Sequence, residues 1–251
     1  MHAVPGLALL AVSTRDSDTA RATADDLGAR RGYGDALQLI HDIDIDIDID
    51  IVTVGAPVPA HRELVLAALD AGKHVVTEWP VGTSTAQTEE IAGAAARSGR
   101  HTAVDLQARM NPTAVRAREL VASKAIGRVL SVTVYSSTMA FGSALTRQSL
   151  YLEDPASGMN LTTIQAAHTV DLAIHVAGSL TSLAALRTVR YRDLTVHGAD
   201  GDAPETFHRT VPDHVLLQDV AAVVGGPPVL SLPALSQVRR LAMKAELAGP
   251  R

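Results

Sequence analysis

Three groups of side chains in this sequence could do chemistry by their type and spacing. His168, Asp171 and His175 stand at i, i+3 and i+7, so a helix would carry them on one face, and two imidazoles with a carboxylate can form a metal set. Between Asp42 and Ile51 Asp alternates with Ile, which lines five carboxylates along one side of an extended chain. Such oxygens suit calcium, but a simple-repeat expansion accounts for the pattern, and no metal is assigned to either group. The third group is Glu78-Trp79-Pro80, where a carboxylate adjoins an indole that stacks on rings but exchanges no proton near neutral pH. With no Cys in the chain, thiolate metal sites, disulfides and cysteine nucleophiles are excluded, which fits a reducing compartment.

Alternating strands and helices must position these groups. Leu7–Val12 is a continuous apolar run of the kind that forms a parallel strand covered on both faces. A helix capped by Asp18 or Thr19 comes next, with Ala20, Ala24 and Leu27 inward and Gly28 at its end. A buried strand cannot hold the acid ladder of the repeat, so only about Asp50 to Val54 is read as strand and the earlier repeats as loop. Beyond Gly55-Ala56-Pro57, a helix over 60–71 turns Leu64, Ala67, Ala68 and Ala71 inward and stops at Gly72. His74–Glu78 is the next strand, Thr83 or Ser84 caps a helix running to Gly99, and His101–Leu106 is a further strand. Short links between alternating elements imply parallel pairing with right-handed crossovers.

From Asn111-Pro112, a cap and a first-turn proline, a helix runs to about Ser123. The pattern then changes: Leu130, Val132 and Val134 alternate with Ser131, Thr133 and Tyr135, predicting a strand over Val129–Ser136 with one covered face. Gly158–Gly178 holds a helix, and Leu183–Tyr191 and His214–Gln218 are strands. Gly225-Gly226-Pro227-Pro228 then breaks the chain, leaving Ser236–Leu247 as a short amphipathic stretch. Two domains are expected, 1–123 and 124–251, the second incomplete after about 218.

Composition narrows the function. Two Phe, four Tyr and one Trp leave the core to Ala, Val, Leu and Ile, and a net charge of −5 with scattered Arg gives no footprint for direct nucleic-acid binding. No apolar run reaches the roughly 18 residues a membrane span needs, and Met1-His2-Ala3-Val4-Pro5 has no basic lead into a signal core. The cytoplasm is the expected location.

Four segments in order, Val52-Thr53-Val54-Gly55-Ala56-Pro57 with His61, Ala71-Gly72-Lys73-His74-Val75 leading to Glu78-Trp79-Pro80, Ile126-Gly127-Arg128-Val129, and His168-Thr169-Val170-Asp171, resemble the Gfo/Idh/MocA family of NAD(P)-dependent oxidoreductases. Glu-Trp in place of Glu-Lys, Leu106-Gln107-Ala108-Arg109-Met110-Asn111-Pro112 and Asn160-Leu161-Thr162-Thr163 look most like the branch of the fungal galactose-pathway repressor, whose members bind a dinucleotide and a protein partner. The resemblance implies an α/β fold, a Rossmann-like parallel sheet followed by an α+β domain with an open, largely antiparallel sheet that shapes a pocket and a possible homo-oligomer interface. It implies an oxidoreductase acting on a sugar or polyol-like small molecule, or a non-catalytic dinucleotide-sensing regulator. Cofactor contacts fall to Ser13, Thr14, Arg15, Gly55, Pro57, His61, Glu78, Trp79 and Gln107, and the substrate pocket to Arg109, Asn160, Thr162, His168 and Asp171. The family's catalytic Lys is Trp79 here and its Asp is Ile164, so His168 is the retained catalytic candidate.

Several readings stay open. Trp79 fills space beside Pro80 or lines the pocket; His61 caps a helix or meets the cofactor; His175 is a surface or core histidine. Arg15, where an Asp would grip a ribose diol, suits a 2′-phosphate and favours NADP. The strand and G-x-G-x-x-G turn expected before Leu7 do not fit into the six residues ahead of it, which predicts a gapped sheet, weak dinucleotide binding, and a truncated, inactive gene product as a third reading.

Overall fold

A strand forms only as far as a neighbour takes up its backbone groups, and the first apolar run meets a neighbour late. In the computed structural model, which describes residues 6–42, 49–198 and 203–221, β1 is Ala11–Ser13 and pairs in parallel with β2, Arg31–Tyr33. Leu7, expected inside the strand, is 37% exposed. Between them α1 (Ser17–Leu27) is capped by Asp16 rather than by Asp18 or Thr19: its carboxylate accepts from the Thr19 backbone N–H and hydroxyl, both at 2.8 Å. Asp18 and Thr19 lie inside the first turn, and Thr19 supplies the N–H being capped. The helix ends on Gly28 in the left-handed region, φ 69°. It buries Ala20 and Ala24 so closely on β2 that a Cβ at Gly32 would run into the Ala20 carbonyl. Neither β2 nor the six-residue α2 (Ala36–His41, capped by Asp35) was expected from the sequence.

A separate parallel sheet is built in the order β3 (Ile51–Val54), β4 (His74–Glu78), β5 (Thr102–Asp105). Among the described residues no ladder joins β1 to β3, so the gap expected in the sheet is present. The crossover helices are α3 (Val58–Asp70) and α4 (Thr85–Ser98). Because α3 begins at Val58, its buried face is Val58, His61, Val65, Ala68 and Leu69; of the inward residues expected, Leu64, Ala67 and Ala71 only flank it. Ser84 caps α4 and Gly99 ends it, as expected. The core is aliphatic, joining Ile40, Val52, Val54, Val65, Ala68, Leu69, Val75, Val81 and Ile91, with Trp79 at its margin.

The described chain divides into two units between Asp105 and Leu106. The 3-10 turn Gln107–Met110 and α5 (Pro112–Ala122) therefore belong to the second unit. Asn111 caps α5 by accepting from the Thr113 N–H at 2.9 Å, and Pro112 opens it. Later a π-helical turn, Thr162–Ala166, leads into α6 (Ala167–Ala177). The strands are β6 (Ala144–Thr146), β7 (Leu180–Thr188), β8 (Asp193–His197), β9 (Glu205–His208) and β10 (His214–Ala221). They form an antiparallel pair β7-β10 and a mixed sheet β6-β8-β9. The strand expected over Leu183–Tyr191 thus begins and ends three residues earlier, and that from His214 continues to Ala221.

One expectation fails outright: Val129–Ser136 is not a strand, and Leu130 is 82% exposed. Alternation makes a strand only when a neighbour accepts from its N–H groups and donates to its C=O groups, and among the described residues none does. Repeat residues 43–48, the Gly225–Pro228 break and the Ser236–Leu247 stretch lie outside the described residues. Among those described, no helix is long and apolar enough to cross a membrane.

The second unit also encloses a charge cluster. The Arg209 side chain has no exposure; Nε donates to Glu153 Oε2 at 2.8 Å and Nη2 to Glu153 Oε1 at 2.5 Å. Nη1 donates to Asp213 Oδ2 and to the Phe141 and Gly142 carbonyls, each at 3.1 Å. Asp213 also accepts the Arg190 and Tyr191 backbone N–H groups, at 2.8 and 2.7 Å.

Candidate functional site

Two places gather the residues that could do chemistry, one in each unit. In the first unit it is the C-terminal end of the β3-β4-β5 sheet, from which the chain turns into α3 and α4. Gly55-Ala56-Pro57 turns the chain from β3 into α3, which has no side-chain cap. His61 does not cap it: the ring, 1% exposed, lies between the Ala56 carbonyl (Nε2, 2.7 Å) and the Pro80 carbonyl (Nδ1, 2.9 Å). It ties the loop after β3 to the loop after β4. Glu78 ends β4 exposed, in register with Asp105, and the nearest atom to a Cβ built on Gly55 is the Glu78 carboxyl carbon at 4.0 Å. Gly55 thus puts no side chain over the Glu78 carboxylate. Trp79 is half-buried and packs against the aliphatic core.

Ser13, Thr14 and Arg15 come at the end of β1 in the other sheet of this unit. The Thr14 hydroxyl donates to the Asp16 carbonyl at 2.9 Å, and Arg15 is exposed, so its guanidinium can meet a phosphate. An exposed carboxylate, Glu78, and an exposed guanidinium, Arg15, thus stand at strand ends, chemistry of the kind that can take a ribose diol and a phosphate.

In the second unit an open cavity of about 540 Å³ is lined by Gln107, Ala108, Met110 and Asn111 on one side and Gln165 and His168 on the other. The 3-10 turn and the Asn111 cap shape the first wall. The π turn shapes the second, and such turns recur at functional sites. Asn160 starts that turn by accepting from the N–H groups of Thr162 (2.9 Å) and Thr163 (3.2 Å). Asn160 and Thr162 therefore shape the helix start and are not among the residues lining the cavity, while Ile164 lies within the turn. Gln165 donates to the Ser136 hydroxyl at 2.7 Å.

Arg109 and Asp171, both expected at the pocket, engage each other. Arg109 Nε donates to Asp171 Oδ2 at 2.8 Å and Nη2 donates to Oδ1, a bidentate pair locking the 3-10 turn to α6. One turn further along α6, His175 Nδ1 accepts from Arg118 Nη1 at 2.9 Å, and its Nε2 is buried with no partner. Asp171 and His175 are thus taken up by arginines. Of the lining residues, Gln165 was not singled out from the sequence, although it precedes His168 by three residues and helical spacing places both on one face.

Burial, then the Arg118 and Arg109 charges, lower the His175 pKa from its ordinary 6.5 against the pull of Asp171. Burial, His101 and Arg100 likewise lower that of His74. A base with a depressed folded pKa gives stability that is present above its unfolded value and lost as pH falls below it. Urea midpoints are expected to drop as pH is lowered from 7.5 through 6.5, and less steeply in His74→Gln/His175→Gln. An unchanged slope in the double variant refutes this assignment.

A parallel sheet crossed by helices, with an exposed acid at a strand end, is the architecture of a Rossmann-type domain, and it is joined in one chain to a unit with an open cavity beside a histidine. The comparisons agree. Residues 1–106 match the family model described as oxidoreductase family, NAD-binding Rossmann fold, and residues 112–231 match that of the Gal80p C-terminal domain. The chain is 28% identical over 206 residues to dehydrogenase aclE of Aspergillus oryzae, covering 79% of this chain and 55% of that protein. It is 29% identical over 200 residues to the galactose/lactose metabolism regulatory protein GAL80 of Kluyveromyces lactis, covering 72% and 44%. The solved NAD binding oxidoreductase from Klebsiella pneumoniae superposes with a TM-score of 0.70 at 26% identity, over 83% of this chain and 53% of that one. The two matches follow one another along the chain, a Rossmann domain of the Gfo/Idh/MocA oxidoreductase kind and then a domain of the Gal80p C-terminal kind. The chain spans about half the length of the curated relatives it matches.

Proposed function

We propose that this chain binds NAD(P), with NADP preferred, and oxidises or reduces a neutral, hydroxyl-rich small molecule of sugar or polyol type at the His168 cavity. The observation that carries this reading is the lining itself: one imidazole and the amides of Gln107, Asn111 and Gln165 beside Ala108 and Met110, with no charged side chain among them. Amides donate to and accept from hydroxyls, so they orient a polyol. His168 takes the proton from the reacting hydroxyl during oxidation and returns it in reduction. The nicotinamide, when bound, accepts or supplies the hydride. Glu78 holds the ribose diol and Arg15 a 2′-phosphate. Trp79 supplies a stacking surface but no proton, and Ile164 cannot assist His168, so turnover is expected to be slow. The site is read as cytoplasmic, and the open second-domain sheet as a homodimer face.

The experiment is NADPH formation from NADP with a panel of sugars and polyols. His168→Ala is expected to lower kcat by about 10²-fold or more, the usual worth of a positioned acid/base, with NADP affinity unchanged. Trp79→Lys is expected to raise kcat. The aliphatic Ile164 and the indole of Trp79 also favour a second reading, a dinucleotide-sensing regulator with a protein partner. Dinucleotide and sugar binding by calorimetry without turnover in wild type or Trp79→Lys would select it.

A further inference from the structure

We propose that Asp171 fixes the charge selectivity of the His168 cavity by occupying Arg109, so that the guanidinium bridging the two walls' elements beside the cavity is already filled from within the chain. The inference rests on the reading of this cavity as a ligand site. Neither residue is among those lining the cavity, but Arg109 is flanked in the chain by the lining residues Ala108 and Met110 and Asp171 lies one helical turn beyond His168, so their pair ties together the two elements that carry the walls. Their pairing is bidentate, through Nε and Nη2. A fork-on-fork pair is how a guanidinium holds a carboxylate or phosphate of a ligand, and here Asp171 stands in the ligand's place. The Arg109 side chain is 34% exposed and that of Asp171 12%, so the pair lies near the surface and is not sealed in the interior. The second cation on this side of α6, Arg118, donates to His175. The wall that remains is uncharged, which suits hydroxyls and turns away carboxylates and phosphates. Removing the Asp171 charge while keeping its shape should convert the site into an anion receptor.

Inorganic phosphate tests this without any assumption about the natural ligand. It is titrated into the full chain while the His168 ring signals are followed by NMR, assigned by their loss in His168→Gln. In the wild type the signals are expected to stay put. In Asp171→Asn they are expected to shift saturably, with phosphate bound at least about tenfold more tightly than by the wild type, as one charge-assisted pair gained implies. Arg109→Gln/Asp171→Asn must lose that binding again. A purely structural pair would lower stability in Asp171→Asn and leave phosphate without effect. The proposal is overturned if Asp171→Asn ignores phosphate, if the wild type binds it equally well, or if the double variant keeps it. Should Asp171→Asn fail to fold, Asp171→Ser meets the same criteria. D-galactose titrated in parallel separates the two readings: phosphate capture by Asp171→Asn with no response to the sugar in any variant upholds the role of Asp171 and sinks the polyol assignment.

Discussion

Replacing Arg209 with Met is expected to cost the second unit about 3–5 kcal/mol, the usual penalty for leaving one side of a buried ion pair unpartnered. The cost arises in what stays behind. Glu153 and Asp213 have fully buried side chains, and without the guanidinium two carboxylates face each other while the Phe141 and Gly142 carbonyls lose their donor. Urea denaturation followed by circular dichroism reads the loss, and a change below about 1 kcal/mol would place the pair among the weak ones. Replacing all three residues by Met and Leu removes the desolvation of three charges but leaves the Phe141 and Gly142 carbonyls and the Arg190 and Tyr191 N–H groups without partners, so it should recover only part of the loss. The cluster also sets the acid limit of the unit. Burial pushes the Asp213 pKa up, but the hydrogen bonds from His214, the Tyr191 and Arg190 backbone and Arg209 outweigh it and hold the pKa at about 2, below the ordinary 3.8. A depressed carboxylate contributes stability that is complete above the unfolded value and is lost as pH falls through the folded one. That difference corresponds to about 2 kcal/mol, disappearing between pH 3.8 and about 2. Asp213→Asn should flatten the acid limb there.

Nothing local in the sequence announces that cluster. Glu153 is 56 residues from Arg209 on a 3-10 turn, and although Asp213 stands at i, i+4 from Arg209, that stretch is loop and not helix, so no element's period relates them. The Arg109–Asp171 pair spans 62 residues and was equally hidden: both residues were legible as pocket candidates, but not that each would satisfy the other. By contrast, His74–Glu78 and Thr85–Ser98 were legible almost to the residue, because glycines and a serine cap bound them and apolar periodicity fills them. The three residues of β2 and six of α2 are too short to show a period. Val129–Ser136 failed for the opposite reason. Its period is clear, but a period reports which face wants cover and says nothing of whether a partner strand is there to pair with.

Replacing Gly32 with Ala is expected to disrupt the β1-β2 pair, and here close approach matters rather than backbone freedom. An added methyl would overlap the Ala20 carbonyl and lie 2.8 Å from the Arg21 nitrogen. Both are helix backbone, so no rotamer change relieves the overlap, and α1 must lift off β2. Overpacking that cannot relax costs about 1–3 kcal/mol and sometimes more. Because β2 is the partner strand of β1 and the expected gap leaves β1 without a ladder to β3, the displacement should open residues 6–42 as a group. Hydrogen exchange should therefore lose protection in α1 and at Thr14, whose N–H bonds the Tyr33 carbonyl, while β3, β4 and β5 keep theirs. Gly28→Ala is the control. Its left-handed φ of 69° carries a conformational cost of about 1–2 kcal/mol for any side chain, but a Cβ there meets nothing within 4 Å. Helix fraying at its end, with β1 and β2 still paired, is the outcome expected of it. Ala20→Gly in the Gly32→Ala background should rescue nothing, since the obstructing atom is the carbonyl rather than the methyl. Rescue by that change, or equal effects at Gly28 and Gly32, would mean that the helix and strand are not in such close contact.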